Sequence, residues 1–181
     1  MKHNLRPNQA CLRRRLEKIK LFLCDVDGVL TDGTVIVGAD REAKVFDIRD
    51  GLGLVFLRDA GVKIGWVSAR PSMATTLRAE ELKIDLLVQS KDSKVAAVEA
   101  LLAKTRLNWD DLCFVGDDVV DLGVLKRAGL AVAVADGIAE VLHAAHYVTR
   151  ASGGRGAIRE VVEMILKAQG HWDRIVAEHA A

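Results

Sequence analysis

Two carboxylates lie one residue apart, directly after an apolar run near the start of the chain. The residues LFLC lead into Asp25, and Asp27 follows just before the glycine at position 28. Side chains two residues apart in an extended segment point to the same side, so both carboxylates can face one pocket. Like charges this close raise each other's pKa unless a positive charge sits between them. The pair therefore predicts a site that needs a cation.

Polar residues also follow three later apolar runs, each of which is a candidate strand. They are Ser68, Arg70, Lys94, Asp117, Asp118 and Asp121. Ligands of open parallel sheets bind at the carboxyl ends of the strands, so we expect these side chains to meet Asp25 and Asp27 there. Several carboxylates without a set of Cys and His ligands favour a hard divalent cation, and Mg²⁺ prefers oxygen ligands. The sequence thus predicts Mg²⁺ as the cofactor.

The spacing of the aspartate pair also suits phosphoryl transfer. A carboxylate beside Mg²⁺ can attack phosphorus and form an aspartyl-phosphate. The leaving alcohol then needs a proton, which a second carboxyl with a raised pKa can supply. The phosphoryl oxygens need a hydroxyl, a cation and backbone N–H groups. Ser68, Lys94 and the N–H groups of Val26 and Gly28 have these properties, so the sequence predicts hydrolysis of a phosphomonoester.

Strand-like and helical patterns alternate along most of the chain. The strand candidates are almost continuously apolar, as strands buried on both faces should be; they are 20–25, 62–67, 85–88, 112–115 and 130–134. Helical patterns cover 71–82, 93–104, a segment from near Asp118 to before Gly129, and 157–168. This alternation predicts an α/β fold with a Rossmann-like parallel sheet and helices on both faces.

One segment interrupts the alternation directly after the first strand. Between Gly33 and Asp47, two short strand-like pieces flank the residues GADR at 38–41, which predicts a small β-hairpin flap at about 33–47. We expect the flap to hang over the carboxyl end of the first strand. Residues 20–169 are then the main domain, residues 1–19 a basic N-terminal extension and residues 170–181 a C-terminal tail.

Composition excludes several classes of function. The chain has 181 residues, half of them apolar, and a net charge of +1, which gives no reason to expect a nucleic-acid partner. The arginine cluster at 13–15 is interpreted as a solvated helix face. No apolar run approaches the length of a membrane span or a signal peptide, and the three cysteines are widely spaced. We therefore expect a cytoplasmic protein without a membrane partner.

The chain contains four motifs in order: DVDGVLTDG, a small hydroxyl residue after a later strand, a lysine, and GDDxxD. Together they resemble the motifs of the haloacid dehalogenase superfamily of phosphatases. More narrowly, three stretches resemble the 3-deoxy-D-manno-octulosonate 8-phosphate phosphatases: FDIRDGLG at 46–53, residues 116–137 and residues 147–170. That resemblance implies a Mg²⁺-dependent homotetramer acting on a small phosphorylated sugar acid. It also implies a hairpin flap instead of a large cap domain, with neighbouring subunits helping to close the site.

The resemblance implies a role for each matching residue. Asp25 would be the nucleophile and Asp27 the general acid and base. Mg²⁺ would be held by Asp25, the backbone carbonyl of Asp27 and Asp117, with Asp118 and Asp121 supporting these ligands. Ser68 and Lys94 would hold the phosphoryl group. The substrate side would be lined by Asp47, Ile48, Arg49, Asp50, Gly51, Arg70 and Arg78, together with Lys94.

The sequence departs from the family pattern at three positions. Ser68 replaces the usual threonine, Asp47 stands where asparagine is common, and Val55 stands where many members have an arginine. Asp47 and Val55 keep open a related substrate such as a 2-keto-3-deoxynononate 9-phosphate, whereas Ser68 keeps the hydroxyl. The sequence also leaves room for a phospho-accepting signalling module and for a catalytically inactive relative of the phosphatases. Lys91 is an alternative to Lys94 for holding the phosphoryl group. The GGRG segment at 153–156 is either an anion-binding loop or a hinge.

Overall fold

The computed structural model of the chain describes residues 9–38 and 42–180. The strands are β1 Leu21–Cys24, β2 Ile36–Val37, β3 Glu42–Ala43, β4 Lys63–Ser68, β5 Leu86–Gln89, β6 Leu112–Gly116, β7 Leu130–Ala133 and β8 Tyr147–Val148. The helices are α1 Gln9–Lys18, α2 Ile48–Asp59, α3 Met73–Glu81, α4 Lys94–Thr105, α5 Leu122–Leu125, α6 Ala139–Ala144, α7 Ala157–Ala168 and α8 Trp172–His179. Short 3₁₀ helices cover Trp109–Asp111 and Val119–Asp121.

Six parallel strands form the main sheet in the order β5-β4-β1-β6-β7-β8. Strand β1 lies between β4 and β6, and the chain proceeds from these strands toward opposite edges of the sheet. Such a reversal of strand order opens a crevice at the carboxyl ends, where ligands bind. The predicted fold class is confirmed, and each of the five predicted strands lies within one residue of its observed bounds.

The sheet is covered on both faces because its central strands are apolar at every position. Phe22 and Cys24 of β1 point into one core, which also contains Leu54 of α2 and Ile158 of α7. The alternate residues Leu21 and Leu23 point into the other core, with apolar residues of α4 and α5. Side chains of a strand alternate between the two faces of its sheet, so a four-residue apolar run requires two layers of helices.

The predicted helices are confirmed with two differences. Helix α3 begins at Met73 because the Ser72 side chain caps it, accepting a hydrogen bond from the backbone N–H of Thr75 at 3.4 Å. The segment from near Asp118 to before Gly129 contains only a 3₁₀ turn and the short helix α5, so the predicted extent was wrong. The Asp121 carboxylate accepts hydrogen bonds from backbone N–H groups preceding it, which favours the tighter turn over a regular helix.

The sequence patterns did not predict the long helix α2. It contains two glycines, at positions 51 and 53, which weaken helix propensity. Both glycines lie close to neighbouring side chains, since a Cβ at Gly51 would lie 2.6 Å from Arg78 Nη2 and one at Gly53 would lie 3.1 Å from Arg159 Cδ. The Asp47 side chain caps the helix through the N–H of Arg49 at 2.7 Å. Tertiary packing, rather than intrinsic propensity, therefore stabilises this helix.

The hairpin flap is formed by β2 and β3, which pair antiparallel with Ile36 opposite Ala43 and Val37 opposite Glu42. The residues at 39–41, which include most of the predicted turn, lie outside the described part of the chain. Among the described helices, none combines the length and apolar character that crossing a bilayer requires.

The two terminal helices pack on the main sheet domain. Helix α1 lies against α7, and Leu16 is buried in the core that α7 shares with the sheet. Helix α8 buries Ile175, and the Trp172 ring lies against the guanidinium of Arg159, 5.2 Å from its centre. The division into extension, domain and tail stays a prediction, although α1 and α8 both contribute to the core.

The docking of α8 can be tested by truncating one buried and one exposed side chain of this helix. We expect Ile175→Ala to lower the free energy of unfolding by about 2 kcal/mol, because the side chain lies at the edge of the core. Val176→Ala, at a neighbouring position that is 49% exposed, should change it by less than about 0.5 kcal/mol. Urea unfolding measures both values, and equal effects would show that α8 does not dock in solution.

Candidate active site

The turn after β1 places Asp25 at the carboxyl edge of the sheet. The Asp25 N–H donates to the carbonyl of Val115 on β6 at 3.0 Å, which continues the sheet by one residue. The carbonyl of Val26 then accepts hydrogen bonds from Leu30 at 2.9 Å and Thr31 at 3.1 Å, so the chain turns sharply. Gly28, at φ +86°, makes this turn possible, and a Cβ there would collide with the Asp117 carboxylate. The turn therefore brings β1 and β6 side chains into one cluster.

Lys94 lies at the centre of this cluster. Its ammonium is 2.7 Å from Asp25 Oδ2 and 2.6 Å from Asp121 Oδ1, and its side chain is only 3% exposed. Although burial acts to lower the pKa of Lys94, the Asp121 and Asp25 carboxylates raise it above its ordinary value. The side chain therefore carries a positive charge between two carboxylates. Lys91, the competing candidate, is exposed.

Three carboxylates form the acidic side of the cluster. Asp25, Asp117 and Asp121 each offer an oxygen within 4.8 Å of the others. Asp121 is fully engaged, since Oδ2 accepts the N–H groups of Asp117 at 3.0 Å and Asp118 at 3.4 Å while Oδ1 faces Lys94. Asp117 differs, because its buried Oδ1 has no hydrogen-bond partner among the described residues. A buried carboxylate oxygen without a donor is suited to a cation.

The electrostatics of the cluster also favour a cation. Burial, with the nearby charges of Asp121 and Asp25, raises the pKa of Asp117 to about 7. Burial raises the pKa of Asp25 to about 6, although Lys94 opposes that shift. Burial is the main cause of both shifts, and neighbouring carboxylates add to it. The residues therefore fit a hard divalent cation such as Mg²⁺, which binds carboxylate oxygens.

Asp27 lies on the flap side of the cluster and contacts a residue that sequence analysis missed. The Lys44 ammonium is 2.7 Å from Asp27 Oδ1 and 2.9 Å from Oδ2. Lys44 follows β3 of the flap and also donates to the Thr75 hydroxyl at 3.2 Å. In the sequence, Glu42 and Lys44 alternate with Ala43 and Val45, but this pattern does not indicate which distant carboxylate Lys44 contacts.

Ser68 and Arg70 lie at the carboxyl end of β4. The Ser68 hydroxyl accepts from the Arg70 N–H and donates to the Arg70 carbonyl, both at 3.1 Å. The Arg70 guanidinium pairs with both carboxylate oxygens of Glu42 on β3, with Nη1 3.1 Å from Oε1 and Nη2 bonded to Oε2. The predicted backbone donor Val26 is occupied, because its N–H donates to Asp25 Oδ1 at 2.6 Å. Gly28 N–H makes only a long 3.4 Å contact with Thr31.

The predicted substrate segment, 47–51, forms the start of α2. Asp47 accepts from the Arg49 side chain at 2.8 Å, and Ile48 is exposed. Asp50 is buried, and its two oxygens accept the N–H groups of Arg159 at 2.7 Å and Gly156 at 3.3 Å, so it caps α7. Contact of this segment with substrate stays a prediction.

Arg78, the other predicted substrate residue, is half-buried on α3 beside Gly51. Its Nη1 is 2.7 Å from Glu81, whereas its Nε lacks a partner within the part of the chain that the structure describes.

The GGRG loop supports the turn after β1 within the same chain. The Gly154 N–H donates to the Val29 carbonyl at 2.9 Å, and a Cβ at Gly153 would collide with the Gly28 carbonyl. The Arg155 guanidinium is 3.2 Å from Asp32. The loop therefore supports the turn that carries Asp25, and α7 begins directly after the loop.

Comparison with known proteins agrees with the fold and the cluster. A model of the haloacid dehalogenase-like hydrolases matches residues 67–160, about half of the chain. The chain therefore belongs to the haloacid dehalogenase-like hydrolases, which confirms the resemblance in the sequence motifs.

Individual relatives define the enzyme class more narrowly. The chain is 40% identical over 157 residues to the 3-deoxy-D-manno-octulosonate 8-phosphate phosphatase KdsC of Yersinia pestis, covering 86% of this chain and 84% of the relative. The enzyme of that name from Moraxella catarrhalis, solved with magnesium, phosphate and KDO, has a TM-score of 0.92 at 35% identity over 95% of this chain and 99% of that one. With relatives this similar, the chain is a phosphatase.

A solved relative also contains a transition metal. The cobalt-bound deoxy-D-mannose-octulosonate 8-phosphate phosphatase of Haemophilus influenzae has a TM-score of 0.83 at 40% identity, covering 86% of this chain and 92% of that one. Divalent metals in two such relatives agree with the acidic cluster of Asp25, Asp117 and Asp121 found here.

Binding of Mg²⁺ should depend on pH. The metal binds ionised carboxylates, and the pKa values of about 7 for Asp117 and about 6 for Asp25 mean that protons compete below neutral pH. Isothermal titration calorimetry should therefore show about tenfold weaker binding at pH 6 than at pH 8. Asp117→Asn should bind far more weakly, whereas Asp110→Asn, at an exposed position in the first 3₁₀ helix, should match the wild type. Equal affinity at both pH values would contradict the proton competition.

Proposed function

We propose that this phosphatase is Mg²⁺-dependent and hydrolyses 3-deoxy-D-manno-octulosonate 8-phosphate to the free sugar acid and phosphate. The observation that carries the proposal is the cluster of Asp25, Asp117, Asp121 and Lys94, in a chain 40% identical to a phosphatase named for that substrate. We place the enzyme in the cytoplasm, which stays a prediction.

Mg²⁺ would be held by Asp25, Asp117 and the backbone carbonyl of Asp27. Asp121 would support these ligands, since it bonds the Asp117 N–H and neutralises Lys94. Asp118 would support them indirectly, because its side chain bonds the Val119 N–H at 2.6 Å and shapes the turn. When bound, the metal would supply positive charge to the phosphoryl oxygens, as divalent ions do in phosphoryl transfer.

In the first half of the reaction, a carboxylate oxygen of Asp25 attacks phosphorus and the bond from phosphorus to the ester oxygen breaks. The electron pair of that bond goes to the leaving sugar oxygen, which takes a proton from Asp27. The product is an aspartyl-phosphate on Asp25 and the free sugar acid. Lys94 lies 2.7 Å from Asp25, so it orients the nucleophile and offers charge to the phosphoryl group. The Ser68 hydroxyl, at the end of β4, would donate to the same group.

In the second half, water attacks the phosphorus of the aspartyl-phosphate. Asp27, which has lost its proton to the sugar, accepts one from this water, and the bond between phosphorus and Asp25 breaks. Asp25 and Asp27 thereby return to their starting states. Asp27 is 24% exposed, which leaves access for the leaving group and later for water.

Recognition of the sugar acid would use the arginines at the site. Arg78 is half-buried, with an Nε that has no partner in the described part of the chain, and Arg70 lies just after the end of β4. Asp47, which caps α2, and Val55, which lies on α2, depart from the family pattern. A 2-keto-3-deoxynononate 9-phosphate is therefore the second candidate substrate. A signalling module is less well supported, because Ser68 and Gln89, rather than aspartates, end β4 and β5.

A phosphate-release assay on both sugar-acid phosphates tests the substrate. We expect the octulosonate ester to give the higher kcat/KM and EDTA to abolish turnover. Asp25→Asn should lose at least about a thousandfold in kcat, and Asp27→Asn at least about a hundredfold. Asp110→Asn is the matched control and should retain activity. Preference for the nononate ester would support the second candidate, and hydrolysis of neither ester would overturn the proposal.

We further propose that the enzyme is a homotetramer in which the flap meets neighbouring subunits. Large apolar side chains are exposed on the flap and on the first turns of α2 and α3. They are Ile36, Val37, Val45, Ile48, Leu52, Met73 and Leu77. An exposed apolar surface of this kind beside a polar site is typical of a subunit interface.

Sedimentation analysis tests the tetramer. The wild type should sediment as a tetramer, and Val37→Asp should shift it toward smaller species because Val37 is 80% exposed on the flap. Val176→Asp places the same charge on α8, away from the flap, and should leave the tetramer intact. A wild-type monomer would contradict the proposed assembly.

A further inference from the structure

Lys44 is a buried lysine that the proposed mechanism does not use. Its side chain is 0% exposed, and its ammonium contacts both oxygens of Asp27 and the hydroxyl of Thr75. The ammonium donates to Asp27 Oδ2 and to the Thr75 hydroxyl, and it forms an ion pair with Asp27 Oδ1. A lysine removed from water requires such partners, since an unpaired buried charge is strongly unfavourable. The contact between Lys44 and Asp27 is therefore a fixed part of the site.

A second ion pair, between Glu42 of the flap and Arg70, helps to place Lys44 against Asp27. Along β3 and the residues after it, Glu42 and Lys44 point toward the site, whereas Ala43 and Val45 are exposed. Glu42 pairs with both terminal nitrogens of Arg70, at the end of β4. Bidentate pairs of this type fix orientation as well as distance. The flap is thus attached to the sheet domain through Arg70, the Asp27 carboxylate and the Thr75 hydroxyl.

Asp27 has few other contacts that would select one side-chain orientation. It lies in the turn directly before Gly28, it is partly exposed, and Lys44 supplies the ion pair of its carboxylate within the described chain. A general acid must be held within hydrogen-bonding distance of the atom that it protonates, and small displacements cost large factors in rate.

We propose that Lys44 is a positioning residue, which donates to Asp27 Oδ2 and so leaves Oδ1 to carry the proton that passes to the leaving oxygen. This inference rests on the proposed function, in which Asp27 gives that proton and later takes one from water. Because Lys44 belongs to the flap, the flap completes the acid–base apparatus as well as covering the site.

The test compares two esters that differ in their need for a proton. Lys44→Met keeps the length of the side chain and removes the ammonium. On the sugar-acid phosphate, we expect kcat to fall at least about a hundredfold, with KM changed by less than about threefold. With p-nitrophenyl phosphate the leaving group departs without a proton, so phosphorylation of Asp25 should stay fast. p-Nitrophenol should then appear in a rapid burst equal to the enzyme concentration, followed by slow turnover.

A double-mutant cycle with Asp27 separates positioning from a general loss of structure. In the Asp27→Asn background, Lys44→Met should cause no further loss of kcat, because the carboxyl that it orients is already absent. Lys63→Met, at the opposite end of β4, is the matched control and should behave as the wild type. Far-ultraviolet circular dichroism and Mg²⁺ binding check that each variant is folded.

The outcomes are distinct. Equal losses on both esters without a burst, additive losses in the cycle, or wild-type kcat in Lys44→Met would each overturn the positioning role while the wild-type activity stands. Wild-type protein that hydrolyses neither ester would overturn the proposed function, and the role of Lys44 with it.

Discussion

The buried ammonium of Lys94 between Asp25 and Asp121 is the interaction on which the rest of the site depends. A charge that is almost fully removed from water is stable only with close partners, and these lie at 2.7 and 2.6 Å. The pairing joins Lys94, the first residue of α4, to Asp25 at the carboxyl end of β1 and to Asp121 in the turn after β6. It fixes the orientation of Asp25. Both carboxylate oxygens of Asp121 are engaged, one by Lys94 and the other by backbone N–H groups. Among the described residues, the buried Oδ1 of Asp117 has no hydrogen-bond partner.

This constraint explains local features that look unrelated in sequence. Gly28 lies against Asp117, so no side chain fits there, and Gly153 lies against the carbonyl of Gly28. The turn that carries Asp25 is therefore held between the acidic cluster on one side and the GGRG loop on the other. The flap adds the ion pairs of Glu42 and Lys44. Residues far apart along the chain act together because each satisfies a buried polar group of another.

The sequence predicted the sheet and the cluster because both follow from local rules. Continuous apolar runs predicted the strands, and the carboxyl ends of parallel strands predicted which polar residues would meet. Helix α2 could not be predicted in this way, since its glycines are explained only by contacts with Arg78 and Arg159. The role of Asp50 as a cap for α7, and the contact of Lys44 with Asp27, likewise depend on residues distant in sequence. Tertiary contacts of this kind leave no periodic pattern.

The claim that Asp25 carries the phosphoryl group can be tested most directly by trapping it. Asp27→Asn enzyme with Mg²⁺ and a substrate whose leaving group needs no proton should accumulate the covalent intermediate, because the second half of the reaction lacks its base. Mass spectrometry of the acid-quenched protein should then locate one phosphoryl group on the peptide that contains Asp25. A phosphoryl group on another residue, or turnover without any modified peptide at millisecond quench times, would contradict the account.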